Sequence, residues 1–90
     1  MITWDDAKRR QNLRDHGIDL AVLECVFDAP LLTWEDQSRN YGEQRLQSLG
    51  WFRDRVVFLV WTERTDSARV NSCRYGDKHE TGTHFEAHGI

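Results

Sequence analysis

The pattern of hydrophobic and polar positions predicts helices in the first third of the chain. Residues 5–16 begin with two aspartates and are followed by Gly17, and acids at the start with a glycine at the end are typical of a helix. Residues 19–27 begin with an aspartate suited to capping and carry hydrophobic residues at helical spacing, before Pro30 ends the segment. The sequence therefore predicts two tandem helices.

The rest of the chain predicts strands separated by polar turns, with residues 35–42 as a loop. The predicted strands are 31–34, 44–51, 56–62 and 68–73, with residues 2–4 as a short edge strand. Segment 56–62 is hydrophobic at odd and even positions alike, so both faces of this strand are expected to be buried and it belongs in the middle of a sheet. Residues 78–88 predict a short C-terminal helix that is capped by Asp77 and weakened by Gly82.

This order of elements predicts an α+β fold. Two N-terminal helices are expected to pack on a mostly antiparallel sheet of four to five strands, followed by the short C-terminal helix. With 90 residues, of which 39% are hydrophobic, the chain is expected to form a single domain over residues 1–90. Trp51 and Trp61 lie in hydrophobic strands and are expected in its core.

Composition and charge limit the function classes. The chain has no hydrophobic run near the roughly 18 residues that span a bilayer and no signal-peptide pattern, which predicts a cytoplasmic protein without membrane contact. Two cysteines, Cys25 and Cys73, are expected to stay free thiols. The net charge of −3 argues against bulk coating of nucleic acid, but residues 53–78 hold six Lys/Arg against four Asp/Glu. Any contact with a polyanion is therefore expected in that segment.

Several short fragments, in a fixed order from Trp4 to about Glu80, are similar to one known family. The fragments are Trp4-Asp5, Lys8, Asn12, His16-Gly17, Val26-Phe27-Asp28-Ala29-Pro30, Tyr41-Gly42-Glu43-Gln44-Arg45, Leu49-Gly50, Thr62-Glu63-Arg64 and Arg69-Val70-Asn71-Ser72-Cys73-Arg74. Together they resemble the BrnT toxins of bacterial toxin–antitoxin pairs. The resemblance implies a RelE-like fold and a ribonuclease that cleaves RNA without a metal or other cofactor.

The resemblance also implies a protein partner. A BrnA-type antitoxin would bind and neutralise the toxin, and its own DNA-binding part would contact the operator. This chain would then meet operator DNA only indirectly, through the antitoxin.

RNA cleavage without a metal needs a base for the ribose 2′-hydroxyl, cations for the charged phosphorus centre and a proton for the leaving oxygen. The family pattern carries over to Arg64 and Arg74 as phosphate clamps, because a guanidinium can hold two phosphate oxygens. Each ends one of two consecutive strands, so both are expected to project near one site. Lys78, also carried over from the family pattern, would be a further cation.

The proton-transfer groups and the remaining substrate contacts are expected nearby. Either Glu63 or Glu80, the second of which the family pattern also supports, would take the 2′-hydroxyl proton. His79 would supply a proton, an expectation from residue chemistry alone. Arg69 is expected to contact the RNA backbone, and Tyr75 to stack on a base.

Three alternatives stay open at this point. Zinc could be held by four soft or borderline ligands of irregular spacing: Cys73, His79, His84 and His88. Alternatively, the chain is a weakly active toxin homologue that binds the antitoxin as a co-repressor, since Tyr75 stands where the family usually has a lysine and Asp77 adds an acid. The third alternative is a small nucleic-acid-binding domain outside the family, which the negative net charge disfavours.

Overall fold

The computed structural model describes residues 1–36 and 44–88. In chain order the elements are β1 (Ile2–Thr3), α1 (Asp6–His16), a short 3-10 helix (Leu20–Val22), α2 (Glu24–Phe27), β2 (Leu32–Asp36), β3 (Arg45–Phe52), β4 (Arg55–Glu63), β5 (Ala68–Tyr75) and α3 (Lys78–His88). The predicted α+β fold is confirmed. Glu35 and Asp36 extend β2, whereas the rest of the predicted loop lies outside the described residues. Within these ranges no helix is both long and hydrophobic enough to cross a membrane.

The five strands form one mixed sheet in the order β1-β5-β4-β3-β2, with β4 in the middle as predicted. β1 runs parallel to β5, and the other three neighbouring pairs are antiparallel. Arg53 and Asp54 join β3 to β4 with φ values of 50° and 62°. This left-handed conformation at both positions is the one that a two-residue hairpin loop of type I′ requires.

The second predicted helix is divided into two pieces, which corrects the expectation of one continuous helix. Asp19 accepts a hydrogen bond from the backbone N–H of Ala21, so its predicted capping role is confirmed. The buried residues that follow are Leu20, Leu23 and Val26, three positions apart and fully buried. Because a 3-10 helix has three residues per turn, this spacing suits a 3-10 turn followed by the single turn of α2.

The two faces of the sheet differ in what covers them. Side chains alternate along a strand, so the register sends Val57, Leu59 and Cys73 to one face, where they join the core cluster with the 3-10 helix and α2. The opposite surface is called the open face here and is defined by six residues, none of them buried: Trp34, Gln47, Phe58, Val60, Ser72 and Arg74.

Trp51 does not lie in the core, so the expectation for this tryptophan is wrong. Its neighbours Gly50 and Phe52 point into the core, and alternation along β3 turns Trp51 outward, where it is 40% exposed. Trp61 does pack against the core, edge-on to Phe27 with ring centroids 5.2 Å apart.

Helix α1 is attached to the edge of β5 through one buried amide. The Asn12 Nδ2 donates to the carbonyl oxygens of Ile18 and Cys73, both at 2.9 Å, and the N–H of Cys73 donates to the Asn12 Oδ1 at 3.0 Å. The side chain therefore pairs with Cys73 as a neighbouring strand would. β1 pairs with β5 only at Ala68 and Arg69. The Asn12 side chain therefore provides hydrogen-bond partners for backbone groups further along the same edge of β5, which β1 does not reach.

Replacing Asn12 tests this attachment. We expect Asn12→Ala to lower the free energy of unfolding by about 2–3 kcal/mol, because it leaves buried backbone groups of Ile18 and Cys73 without partners. Urea unfolding at pH 7 measures the change. The exposed neighbour Gln11 provides the control, since Gln11→Ala should stay within about 0.5 kcal/mol of the wild type. Equal effects of the two changes would contradict the structural role.

A pair of glycine substitutions tests the packing of α2 on β3. A Cβ on Gly50 would lie 2.6 Å from the Val26 Cγ1 and 2.8 Å from the Leu31 Cδ2, whereas a Cβ on Gly82 meets nothing within 4 Å. We expect Gly50→Ala to destabilise the fold by about 1–3 kcal/mol. Gly82→Ala, inside α3, should stabilise it by about 0.5–1 kcal/mol. Thermal unfolding compares the two, and a neutral Gly50→Ala would overturn the close packing.

Candidate functional site

Arg74 lies on the open face and is held by α3. Its Nη1 and Nη2 donate to the two carboxylate oxygens of Glu80 at 2.8 and 2.9 Å, and its guanidinium lies over the Phe58 ring, 4.4 Å from the centroid. The hydrogen bonds from Arg74 lower the pKa of Glu80 and those to Glu80 raise the pKa of Arg74. A phosphate that binds Arg74 would therefore have to share the guanidinium with the Glu80 carboxylate or displace that carboxylate.

Glu80 also helps to start α3, which brings more of the predicted residues together. The N–H of Glu80 donates to the Asp77 Oδ1 at 2.8 Å, and the N–H of Asp77 donates to the Glu80 Oε1 at 2.9 Å. This reciprocal pair is a capping box with aspartate as the cap, and it confirms the predicted role of Asp77. Lys78 and His79 are exposed in the first turn that follows, so they lie near Arg74 as predicted.

The other predicted cations lie at the far end of the sheet. In the β4–β5 register Glu63 pairs with Ala68 and Phe58 pairs with Arg74, which puts Arg64 roughly 20 Å from Arg74 at about 3.3 Å per strand residue. The expectation that both arginines project near one site is wrong. The reason is geometric, because the C-terminal ends of two consecutive antiparallel strands lie at opposite ends of the hairpin.

Arg69 belongs to that far end. Its Nη2 is 3.9 Å from the Asp5 Oδ2, in an exposed ion pair next to the start of α1. Glu63, Arg64 and Arg69 thus form a second group of predicted site residues, separate from the group around Arg74.

Tyr75 faces away from Arg74. It pairs with Val57 and packs against the core cluster, so it lies on the opposite face of the sheet. The Arg55 guanidinium covers its ring at 3.8 Å from the centroid. Stacking of an RNA base on Tyr75 stays a prediction, but the ring has a packing role in this structure.

A polar cleft that residue chemistry did not predict opens between α1 and the strands. It has a volume of about 240 Å³ and is lined by Lys8, Gln11, Asn12, Asp15, His16, Arg45, Asn71 and Ser72. The Lys8 Nζ donates to the Asn71 Oδ1 at 3.2 Å, and the Asn71 Nδ2 donates to the Thr62 Oγ1 at 3.2 Å. We call this the α1–β5 cleft.

A β-bulge builds this cleft. Val60 pairs with Ser72 and Trp61 pairs with Val70, so Asn71 is an extra residue on β5. A bulge re-aims the side chain at its position, and here it brings Asn71 to Thr62 and Lys8. Two consecutive polar residues, Asn71 and Ser72, break the alternation of hydrophobic and polar positions along β5, and this was the sequence signal for the site.

The α1–β5 cleft and Arg74 lie on the same side of the sheet. Ser72 is two residues from Arg74, or about 7 Å along the strand, and Asn71 is about 10 Å away. Lys8, Arg45 and Asn71 belong to the fragments that carry the family resemblance, although their sequence positions gave them no role. The structure brings these distant fragments together at one cleft.

The residues of the zinc alternative are not grouped as ligands. Cys73 is fully buried, and burial raises the pKa of its thiol to about 12, which disfavours the thiolate that zinc needs. His84 and His88 do lie close together, with ring centroids 4.5 Å apart. Burial, and then the proximity of His88, lower the pKa of His84. Across residues 1–36 and 44–88, no three His, Cys, Asp or Glu side chains are clustered as metal ligands would be.

The arrangement is that of a small α+β protein with cations and aromatic rings on one sheet face, which suits a nucleic-acid strand. A family described as the ribonuclease toxin BrnT of type II toxin–antitoxin systems matches residues 4–80. The chain belongs to this family, and its resemblance to it is confirmed. It is therefore a ribonuclease toxin of a type II toxin–antitoxin system, with RNA as substrate and an antitoxin as partner.

The fold has a solved relative. The crystal structure of the ribonuclease toxin BrnT from Brucella abortus is similar with a TM-score of 0.71, at 24% sequence identity, over 86% of this chain and 96% of that one. No curated protein sequence matches the chain.

The ion pair between Arg74 and Glu80 predicts a pH-dependent stability. The folded pKa of Glu80 lies below its unfolded value, about 4.3 for a glutamate, so the pair contributes fully above that pH and is lost as the pH falls through the folded pKa. We expect Glu80→Gln to cost about 1 kcal/mol at pH 7 and progressively less below pH of about 4. Urea unfolding from pH 3 to 7 measures the difference. Glu86→Gln, an exposed change on the same helix, is the control, and a difference for Glu80→Gln that did not change with pH would refute the linkage.

Proposed function

We propose that the chain cleaves RNA endonucleolytically without a metal, by attack of a ribose 2′-hydroxyl on the adjacent phosphate, and that a BrnA-type antitoxin neutralises it. In a chain of the BrnT family, the observation that supports this most is the position of the Lys8 ammonium and the Arg74 guanidinium on one side of the sheet. The RelE-like relationship stays a prediction.

The RNA backbone is proposed to follow β5 across the open face. Arg74 lies at one end of this path and the α1–β5 cleft, with Lys8 and Arg45, lies about 7–10 Å further along. Adjacent phosphates of an extended strand can bridge such a spacing. Arg69 and Arg64 continue in the same direction and would contact the flanking backbone, as positioning groups and not at the cleaved bond.

The exposed Trp34 ring on the open face is proposed to stack on a base, since the Arg74 guanidinium already covers the Phe58 ring. Trp34 and Phe58 lie on the open face with ring centroids 6.4 Å apart, and Trp34 is 40% exposed. The Trp34 Nε1 donates to the Gln47 Oε1 at 2.6 Å, which fixes the ring orientation. Stacking of this kind is tolerant of sequence and orders single-stranded RNA.

The proposed reaction forms a bond between the 2′-oxygen and phosphorus and breaks the bond between phosphorus and the 5′-oxygen. It leaves a 2′,3′-cyclic phosphate and a 5′-hydroxyl. Lys8, Arg45 and Arg74 would stabilise the charge that develops on the phosphate oxygens. Lys78, in the first turn of α3, is a further cation for the same strand.

The proton transfers need groups that are not committed elsewhere. Glu80 is a weak base in this structure because its pairing with Arg74 lowers its pKa. His79, exposed in the first turn of α3, and His16, exposed in the lining of the α1–β5 cleft, are better placed, since imidazole is the side chain best suited to proton exchange near neutral pH. Glu63 lies at the far end of the sheet and would act only on RNA that reaches it.

Cleavage of a labelled RNA by the purified chain in EDTA tests the proposal. We expect cleavage by the wild type, and a loss of about 100-fold for Lys8→Ala and Arg74→Ala, as when one donor to a developing oxyanion is removed. Arg64→Ala should cost less than about tenfold, because that residue is about 20 Å from Arg74. Arg14→Ala, which removes an exposed arginine of α1 outside the cleft, is the control. Cleavage that disappeared in EDTA would refute the metal-independent mechanism.

One observation favours a second function, that of an antitoxin-binding co-repressor with little catalysis. Glu80 already neutralises the guanidinium expected to bind phosphate, which would weaken RNA binding. Absence of cleavage by the wild type, together with tighter operator binding by the antitoxin in the presence of this chain in a gel-shift assay, would support it. The antitoxin would then contact operator DNA, and this chain would contact only the antitoxin.

A further inference from the structure

We propose that a pocket between α3 and the β3–β4 end of the sheet binds one unpaired nucleobase of the RNA substrate. The proposal rests on the RNA-cleaving function and adds a base-recognition site to it. The pocket has a volume of about 500 Å³ and is lined by Ala29, Pro30, Trp51, His84, Phe85 and His88. This volume lies in the range of about 300–1,000 Å³ that is usual for small-molecule sites. We call it the α3 pocket.

The lining of the α3 pocket consists mostly of flat rings. The Trp51 and His84 rings are nearly parallel, at an interplanar angle of 19° with centroids 6.3 Å apart, and the Phe85 ring lies 5.9 Å from Trp51. Trp51 is 40% exposed, although a tryptophan on a strand could have been buried. An exposed indole with two further rings beside it offers the stacking surface that a base requires.

Two histidines that line the pocket carry nitrogens without hydrogen-bond partners in the described part of the chain. Among the described residues, none bonds to the buried Nδ1 of His84 or to the buried Nε2 of His88, and His84 as a residue is only 4% exposed. Both nitrogens are buried and already unpaired within residues 1–36 and 44–88, so a hydrophobic side chain in the pocket would leave them unpaired. A nucleobase edge carries donors and acceptors, and rotation of the imidazole rings toward it would give these nitrogens partners, which favours a base as the occupant.

The location of the pocket fits the proposed RNA path. His84 and His88 follow Glu80 by one and two helical turns, about 6 and 12 Å along the axis of α3. Glu80 is bonded to Arg74, so a nucleotide whose phosphate lies near Arg74 or Lys78 can place its base in the pocket. His84, Phe85 and His88 lie beyond residue 80, where the family match ends.

Binding of non-cleavable RNA tests the pocket. The probes are dye-labelled 2′-O-methyl heptanucleotides, each built from a single type of base. A heptamer with the same backbone but without bases serves for comparison. Fluorescence anisotropy gives the dissociation constants. We expect the wild type to bind at least one homopolymer more tightly than the base-free backbone. Trp51→Ala and Phe85→Leu should weaken that binding by roughly 5- to 100-fold, the usual worth of one stacked base, and leave binding of the base-free backbone unchanged.

The controls separate the possible causes. Val22→Ala alters a hydrophobic residue of similar exposure, 44% against 40% for Trp51, that does not line the pocket, and it should change nothing. Circular dichroism confirms that each variant is folded. Phe85→Leu keeps the side chain hydrophobic and removes only the ring, so its effect reports stacking.

The outcomes distinguish this proposal from the proposed function. Wild-type binding that is equal with and without bases would overturn the base pocket and leave RNA cleavage standing. If Trp51→Ala and Phe85→Leu weakened binding of the base-free backbone as much as binding of the homopolymers, the base pocket would be overturned as well. The two side chains would then act on the RNA backbone or on the fold. No binding of any probe would reject both proposals, whereas cleavage that continues in Trp51→Ala with its base preference lost would support both.

Discussion

The pairing of the Asn12 amide with the backbone of Cys73 is the contact on which the functional side of this protein depends. It attaches α1 to an edge of β5 that the two residues of β1 leave uncovered. Lys8 lies one helical turn before Asn12 and reaches Asn71 from there. This buried pairing therefore helps to set the spacing between α1 and β5 that forms the α1–β5 cleft.

The contact between Arg74 and Glu80 has a comparable role at the other end of the path. Glu80 closes the capping box of α3 and holds the guanidinium that lies on Phe58, so one carboxylate connects a helix start to the open face. The same contact neutralises the cation that a ribonuclease would use. In the proposed function, an incoming phosphate would compete with Glu80 for the Arg74 guanidinium.

Antiparallel geometry decided which of the predicted site residues lie together. Arg74, Lys78, His79 and Glu80 are close in sequence and were found close in space. Arg64 also follows the end of a strand, yet it lies at the opposite end of the sheet from Arg74, because β5 runs back along β4. The α1–β5 cleft was missed for the opposite reason, since its residues come from α1, β3 and β5 and only long-range contacts bring them together.

The sequence by itself determined the local structure of the protein. It predicted the start and end of α1, the cap at Asp19, the central position of β4 and the capping of α3 by Asp77, because each depends on residues within one or two turns of the chain. The resemblance of scattered fragments also identified the family. Tertiary structure alone decided the split of the second helix, the outward position of Trp51, the bulge at Asn71 and the grouping of Lys8 with Arg45, because packing and register depend on residues far apart in the chain.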